Sequence, residues 1–108
     1  MPVSKGFLDY ILDQLSKWDG VSARRMFGGA GLFRNGKMFG IVADDVIYFK
    51  VDDSNRDKYE TEGSSPFKPF PNRPTIMSYY EIPGDILEDP EELIEWAQES
   101  WEIQKENK

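Results

Sequence analysis

Residues 26–51, MFGGAGLFRNGKMFGIVADDVIYFKV, decide how this chain folds. The stretch is dense in β-formers and is broken by two tight-turn signals, Asn35-Gly36 and Asp44-Asp45. Asn-Gly between apolar runs is the strongest short-range hairpin signal, because a type I′ turn needs positive φ at both central residues. With two residues in that turn, Phe33 faces Met38, Leu32 faces Phe39, Gly31 faces Gly40 and Ala30 faces Ile41. A two-residue turn at Asp44-Asp45 then sets Ile41 against Tyr48, Gly40 against Phe49 and Met38 against Val51. Asp-Asp also suits longer loops, so the second register is the looser of the two.

Successive strand residues alternate sides, and this register sorts them into two faces. One carries Phe33, Met38, Val42, Ile47, Phe49 and Val51 with Gly29, Gly31 and Gly40. It holds no charge and is expected to be the core face. Glycine in a strand costs roughly 0.5–1 kcal/mol relative to alanine, a loss that a helix or ring lying on the bare backbone would offset. The other face carries Ala30, Leu32, Phe39, Ile41, Val46 and Tyr48, edged by Arg34, Lys37 and Lys50. A solvated face would be more polar than this. Leu32, Phe39, Ile41 and Tyr48, with Arg34, Lys37 and Lys50 as a cationic rim, are therefore the candidate interface.

A chain of 108 residues is expected to form one domain, 1–108. No apolar run approaches the roughly 18 residues of a membrane span, and the start, MPVSKGFLDY, lacks a signal-peptide pattern. There is no cysteine, which removes disulfides and thiol chemistry and fits a reducing compartment. There is also no histidine, so the commonest general base and metal ligand are both missing. The net charge of −7 is unevenly spread: residues 81–108 hold ten acids against two lysines, whereas residues 1–80 are almost balanced. Phosphate neutralisation supplies most non-specific DNA affinity, so an acidic chain is a poor candidate for direct nucleic-acid binding.

Residues 5–18 read as an amphipathic helix, with Ser4 as N-cap and Gly20 just past the end. A strand over 21–27 follows, either separate or continuing through Gly28-Gly29 as a bulge. Arg24 and Arg25 point to opposite faces of it, so one is expected near the core, paired with a carboxylate or serving as an anion anchor. GGAG within this run is followed by a strand, which argues against a phosphate-binding loop. Asp52-Asp53-Ser54 opens a polar helix over 55–62 anchored by Tyr59. Asp44, Asp45, Asp52 and Asp53 lack calcium-loop spacing and read as turn and cap residues, not a metal site. GSSPFKPFPNRP, residues 63–74, is expected to be an ordered loop with Phe67 and Phe70 tucked in. A strand over 75–82 places Met77 and Tyr79 on one side and Ile76, Tyr80 and Ile82 on the other. Asp89-Pro90-Glu91-Glu92 is a strong helix start, for a helix running to about residue 105 with an apolar half and a glutamate-rich half.

RRMFGGAGLFRNGKMFGIVADDVIYFKVD, then PFKPF, then MSYYEIP, then a closing helix rich in Glu and Trp, resembles the TfoX N-terminal domain family. The likeness runs from Val21 to Trp101. It implies a two-layer α+β fold and a cytoplasmic bacterial protein, and it brings no catalytic or cofactor residues to carry over. Long members of that family, the TfoX/Sxy competence regulators, carry a second helical domain and act as coactivators with the cyclic-AMP receptor protein. The resemblance covers the first of those two domains, so a stand-alone N-terminal domain is expected.

The expected architecture is thus α+β: an antiparallel β-meander with N- and C-terminal helices packed on one face. The expected role is a non-enzymatic protein–protein interaction module, with a protein partner or a homodimer, and without cofactor, metal or membrane. The alternative is a small-ligand or anion-binding domain, with Arg24 or Arg25 as anchor and Tyr79, Tyr80 and Phe49 as walls.

Overall fold

Both turn signals act as tight turns. Asn35 and Gly36 take φ of 51° and 84°, and Asp44 and Asp45 take 53° and 57°, the left-handed pairs that a type I′ hairpin requires. The computed structural model describes residues 4–26, 29–67 and 78–106. Strands β1 (Val21–Met26), β2 (Gly29–Arg34), β3 (Lys37–Ala43), β4 (Val46–Lys50) and β5 (Tyr79–Glu81) pair in sequence order, each antiparallel to the next. Met26 stands opposite Gly29, so β1 and β2 are separate strands of a hairpin, not one strand running through a bulge. Only part of the strand expected over 75–82 lies in the described residues. There Tyr80 and Ile82 join the main core, while Tyr79 joins the opposite side. Met77, Ile76 and Phe70 lie outside the described residues, and Phe67 is buried as expected.

The helices form the second layer. α1 (Lys5–Gln14) starts at Ser4, whose hydroxyl accepts from the Phe7 amide, and ends a turn before the pattern suggests. The chain then turns so that Trp18 reaches the sheet. α2 (Arg56–Thr61) brings Tyr59 into the core. A short α3 (Gly84–Leu87), which the sequence pattern does not signal, leads into α4 (Pro90–Glu106). The Asp89 carboxylate caps α4 by accepting from the Glu91 and Glu92 amides, at 3.1 and 3.3 Å. Leu93, Trp96, Ala97 and Ser100 of α4 are buried, and Glu91, Glu92, Glu95 and Glu99 face solvent. This is the two-layer α+β arrangement, with the terminal helices on one face of a meander.

One register differs from the simple hairpin. Phe33 pairs with Met38 as expected, but Leu32 pairs with Gly40, Gly31 with Ile41 and Ala30 with Val42. Phe39 is the extra residue, a β-bulge that points both Phe39 and Gly40 toward the helices. From Gly40 onward the expected pairs hold, with Gly40 against Phe49 and Ile41 against Tyr48. Before it the faces are exchanged. Leu32 and Phe39 are 0 % exposed in the core, while Phe33 and Met38 stand half-buried on the other side. The Phe39 ring meets Trp18 at 5.2 Å and Phe49 at 5.5 Å, both edge-on. Burying such a ring is worth roughly 1.5–3 kcal/mol, and edge-on aromatic pairs about 0.5–1.5 kcal/mol more.

Gly40 makes room for this. A Cβ there would sit 2.9 Å from Phe49 Cδ1, 3.0 Å from the Tyr48 carbonyl and 3.2 Å from Leu32 Cδ1. Gly40→Ala is therefore expected to lower unfolding free energy by about 1–3 kcal/mol, the usual cost of overpacking a core. Urea denaturation checks it, and an unchanged midpoint would refute the close approach.

Candidate interaction surface

The outer face of the sheet, away from the helices, carries a second apolar cluster. Ala43, Phe67 and Tyr79 are buried there, and Met38, Ile41 and Tyr48 pack against them half-buried. Tyr48 and Phe67 rings lie 4.8 Å apart. Lys50 spans the edge of this cluster, its ammonium 5.4 Å from the Tyr79 ring centre and 3.4 Å from the Ser78 hydroxyl. Arg24 flanks the other side, its guanidinium 5.0 Å over Phe33.

Of the residues expected to form the interface, Ile41, Tyr48 and Lys50 stand together on this face. Leu32 and Phe39 do not, because the bulge turns both into the core. Arg34 is also withdrawn from any rim. Its guanidinium is 4.6 Å from both the Trp18 and the Trp101 rings, and its Nε donates to the Asp19 carbonyl at 2.8 Å. The Trp101 indole in turn donates to the Arg34 carbonyl at 2.8 Å. This clamp fastens α4 to the tip of the β2–β3 hairpin. Lys37, paired with Arg34, is exposed on the helix side of that tip.

The candidate anion anchors are both at the surface. Arg24 and Arg25 are exposed on the edge strand, so neither is the buried arginine that alternation suggested. Arg25 is nonetheless engaged within the chain. The proposed aromatic walls are divided: Tyr79 belongs to the outer cluster, and Phe49 and Tyr80 to the core. The aspartates act in turns and caps. Asp52 accepts from the Ser54 amide and hydroxyl, which holds its carboxyl below the usual carboxylate range, and the Asp52 backbone amide donates to Asn55 Oδ1. Among the described residues no three acidic side chains converge as metal ligands.

Two buried polar residues, not singled out in the sequence, fix the end of β4. The Lys50 carbonyl accepts from the Ser100 hydroxyl at 2.7 Å and from Asn55 Nδ2 at 3.2 Å. Beside them the Tyr59 ring packs on Trp96 at 4.7 Å. Its hydroxyl makes no hydrogen bond of ordinary geometry, and burial pushes its pKa far up, an effect that the neighbouring Ser100 hydroxyl only partly offsets. Burial likewise pushes Tyr79 up to about 12. Burial, then Glu81 and Asp44, raise Tyr48. No helix among the described residues is long and apolar enough to cross a membrane.

The sequence model of the TfoX N-terminal domain matches residues 13–103, most of the chain and all five strands. A search of curated proteins finds no match.

Arg34→Lys keeps the charge but loses the planar group held between two indoles. Cation–π contacts run from about 0.5–1 kcal/mol when exposed to 2 or more when desolvated, so a loss of about 1–2 kcal/mol is expected. Denaturation followed by tryptophan fluorescence measures it. The tyrosines set a second expectation. Below pH 10 the phenols are neutral folded and unfolded; above it the unfolded chain gives up its protons first, because folding raises the pKa of Tyr79 to about 12. Stability should therefore fall from pH 10 upward through 12, with delayed phenolate absorbance in the native protein. Simultaneous ionisation of all tyrosines near 10 would contradict the burial.

Proposed function

Since the chain belongs to the TfoX N-terminal domain family, we propose that it is a non-enzymatic protein–protein interaction module, a cytoplasmic accessory in transcription. The observation that carries this reading is the outer sheet face. Met38, Ile41 and Tyr48 give it a half-buried apolar centre on the meander, and Lys50 and Arg24 give it cationic flanks. An apolar centre with a polar rim is the anatomy of a protein interface. A sheet whose two faces are both apolar also departs from the alternation of a free antiparallel sheet. The net charge of −7, concentrated in residues 81–108, favours a protein or a second copy over nucleic acid as partner.

The experiment compares wild type with Ile41→Asp and Lys50→Glu by size-exclusion chromatography with light scattering and by co-purification. Wild type should run as a homodimer or retain a stoichiometric protein partner. Both variants should fold and release it. A strict monomer at high concentration, without any retained partner, would overturn the reading, as would full retention by both variants.

A further inference from the structure

The meander leaves β1 at one end of the sheet, and the hairpin geometry fixes which of its backbone groups are open. In a two-residue hairpin the residues flanking the turn, here Arg34 and Lys37, exchange hydrogen bonds. Alternation along β2 then directs Leu32 and Ala30 toward β3, and Phe33, Gly31 and Gly29 toward β1. Across the β1–β2 register those partners are Ser22, Arg24 and Met26. The Asn35 amide donating to the Gly20 carbonyl at 3.3 Å continues the same parity. Val21 and Ala23 therefore turn their N–H and C=O groups outward, where no described strand pairs with them. Their side chains pack against the main core, whereas Ser22 and Arg24 are exposed beside the outer face.

Such an edge is a template for another strand, and its charge selects which one. β1 reads VSARRM: two arginines and no acid. Laying it against a second copy brings the two Arg24 guanidinium groups onto one face of the seam, and like charges across strands are destabilising. Carboxylates beside Arg24 would reverse that sign. We propose that the open edge of β1 receives an extended acidic segment of another protein as a sixth strand. Its apolar residues would extend the layer of Val21 and Ala23, and its carboxylates would line the Arg24 side. The proposal rests on the reading of this domain as an interaction module and names a second surface for it.

The probe is a short capped peptide of alternating glutamate and valine, fluorescently labelled, with a lysine–valine peptide as its counterpart. Wild type should bind the glutamate peptide and not the lysine peptide. Ala23→Pro removes one outward N–H without touching a bond to β2, so it should weaken binding at least tenfold while unfolding like wild type. Arg24→Glu should exchange the preference between the two peptides. If Ala23→Pro unfolds the domain, methylating alternate backbone nitrogens of the peptide tests the same bonds, and unchanged binding would overturn the proposal. No binding by wild type, or an arginine-independent preference, would also overturn it. So would a wild-type dimer that Ala23→Pro dissociates, since the occupant would then be a second copy. Failure here with Ile41→Asp still releasing a partner removes only this edge; failure of both removes the module reading itself.

Discussion

The extra residue in β3 governs the rest of the molecule. Two-residue pairing would have put Phe39 on the outer face beside Ile41, leaving Gly40 as a bare spot under the helices. The bulge gives that spot to the Phe39 ring, which touches Trp18 from the turn after α1 and Phe49 from β4. Three parts of the chain distant in sequence thus meet on one side chain. A bulge costs one paired backbone position and sharpens the local twist. The ring it buries recovers more than that. It also decides the identity of each face, because every residue of β2 takes the opposite side from the one that unbroken alternation assigns.

Most of the architecture was legible because it follows from local chemistry. Asn35-Gly36 and Asp44-Asp45 mark their turns through backbone conformation, and Ser4 and Asp89-Pro90 mark helix starts through their caps. Val42, Ile47, Phe49 and Val51 lie downstream of the bulge, and alternation places them correctly. Leu32, Phe39, Phe33 and Met38 lie at or before it, and alternation misplaces them. A single inserted residue leaves no mark on a period-two pattern unless a glycine beside an aromatic is read as such a mark. Arg34 was misread for a different reason. A cation at a hairpin tip looks like a solvent-facing rim, and only the arrival of Trp18 and Trp101 from elsewhere in the chain makes it an internal fastener.

Polar atoms inside the fold show the same dependence on distant partners. Ser100 and Asn55 converge on a single carbonyl at Lys50, joining α4, the start of α2 and the end of β4. Buried hydroxyls and amides are tolerated when they are bonded, and here that bonding ties the helical layer to the sheet. Tyr59 stands beside them with its hydroxyl enclosed. Its ring contacts with Trp96 and Tyr80 hold that position and oppose the desolvation of the phenol.

The helical layer carries its charge unevenly. Glu91, Glu92, Glu95 and Glu99 are exposed along α4, and among them the structure pairs Glu99 with Lys58. A basic body drifting toward that helix is drawn in before it touches anything. In dilute salt the pull would reach beyond the domain's own radius; at the ionic strength of a cell it acts over about 8 Å, the last few water layers before contact.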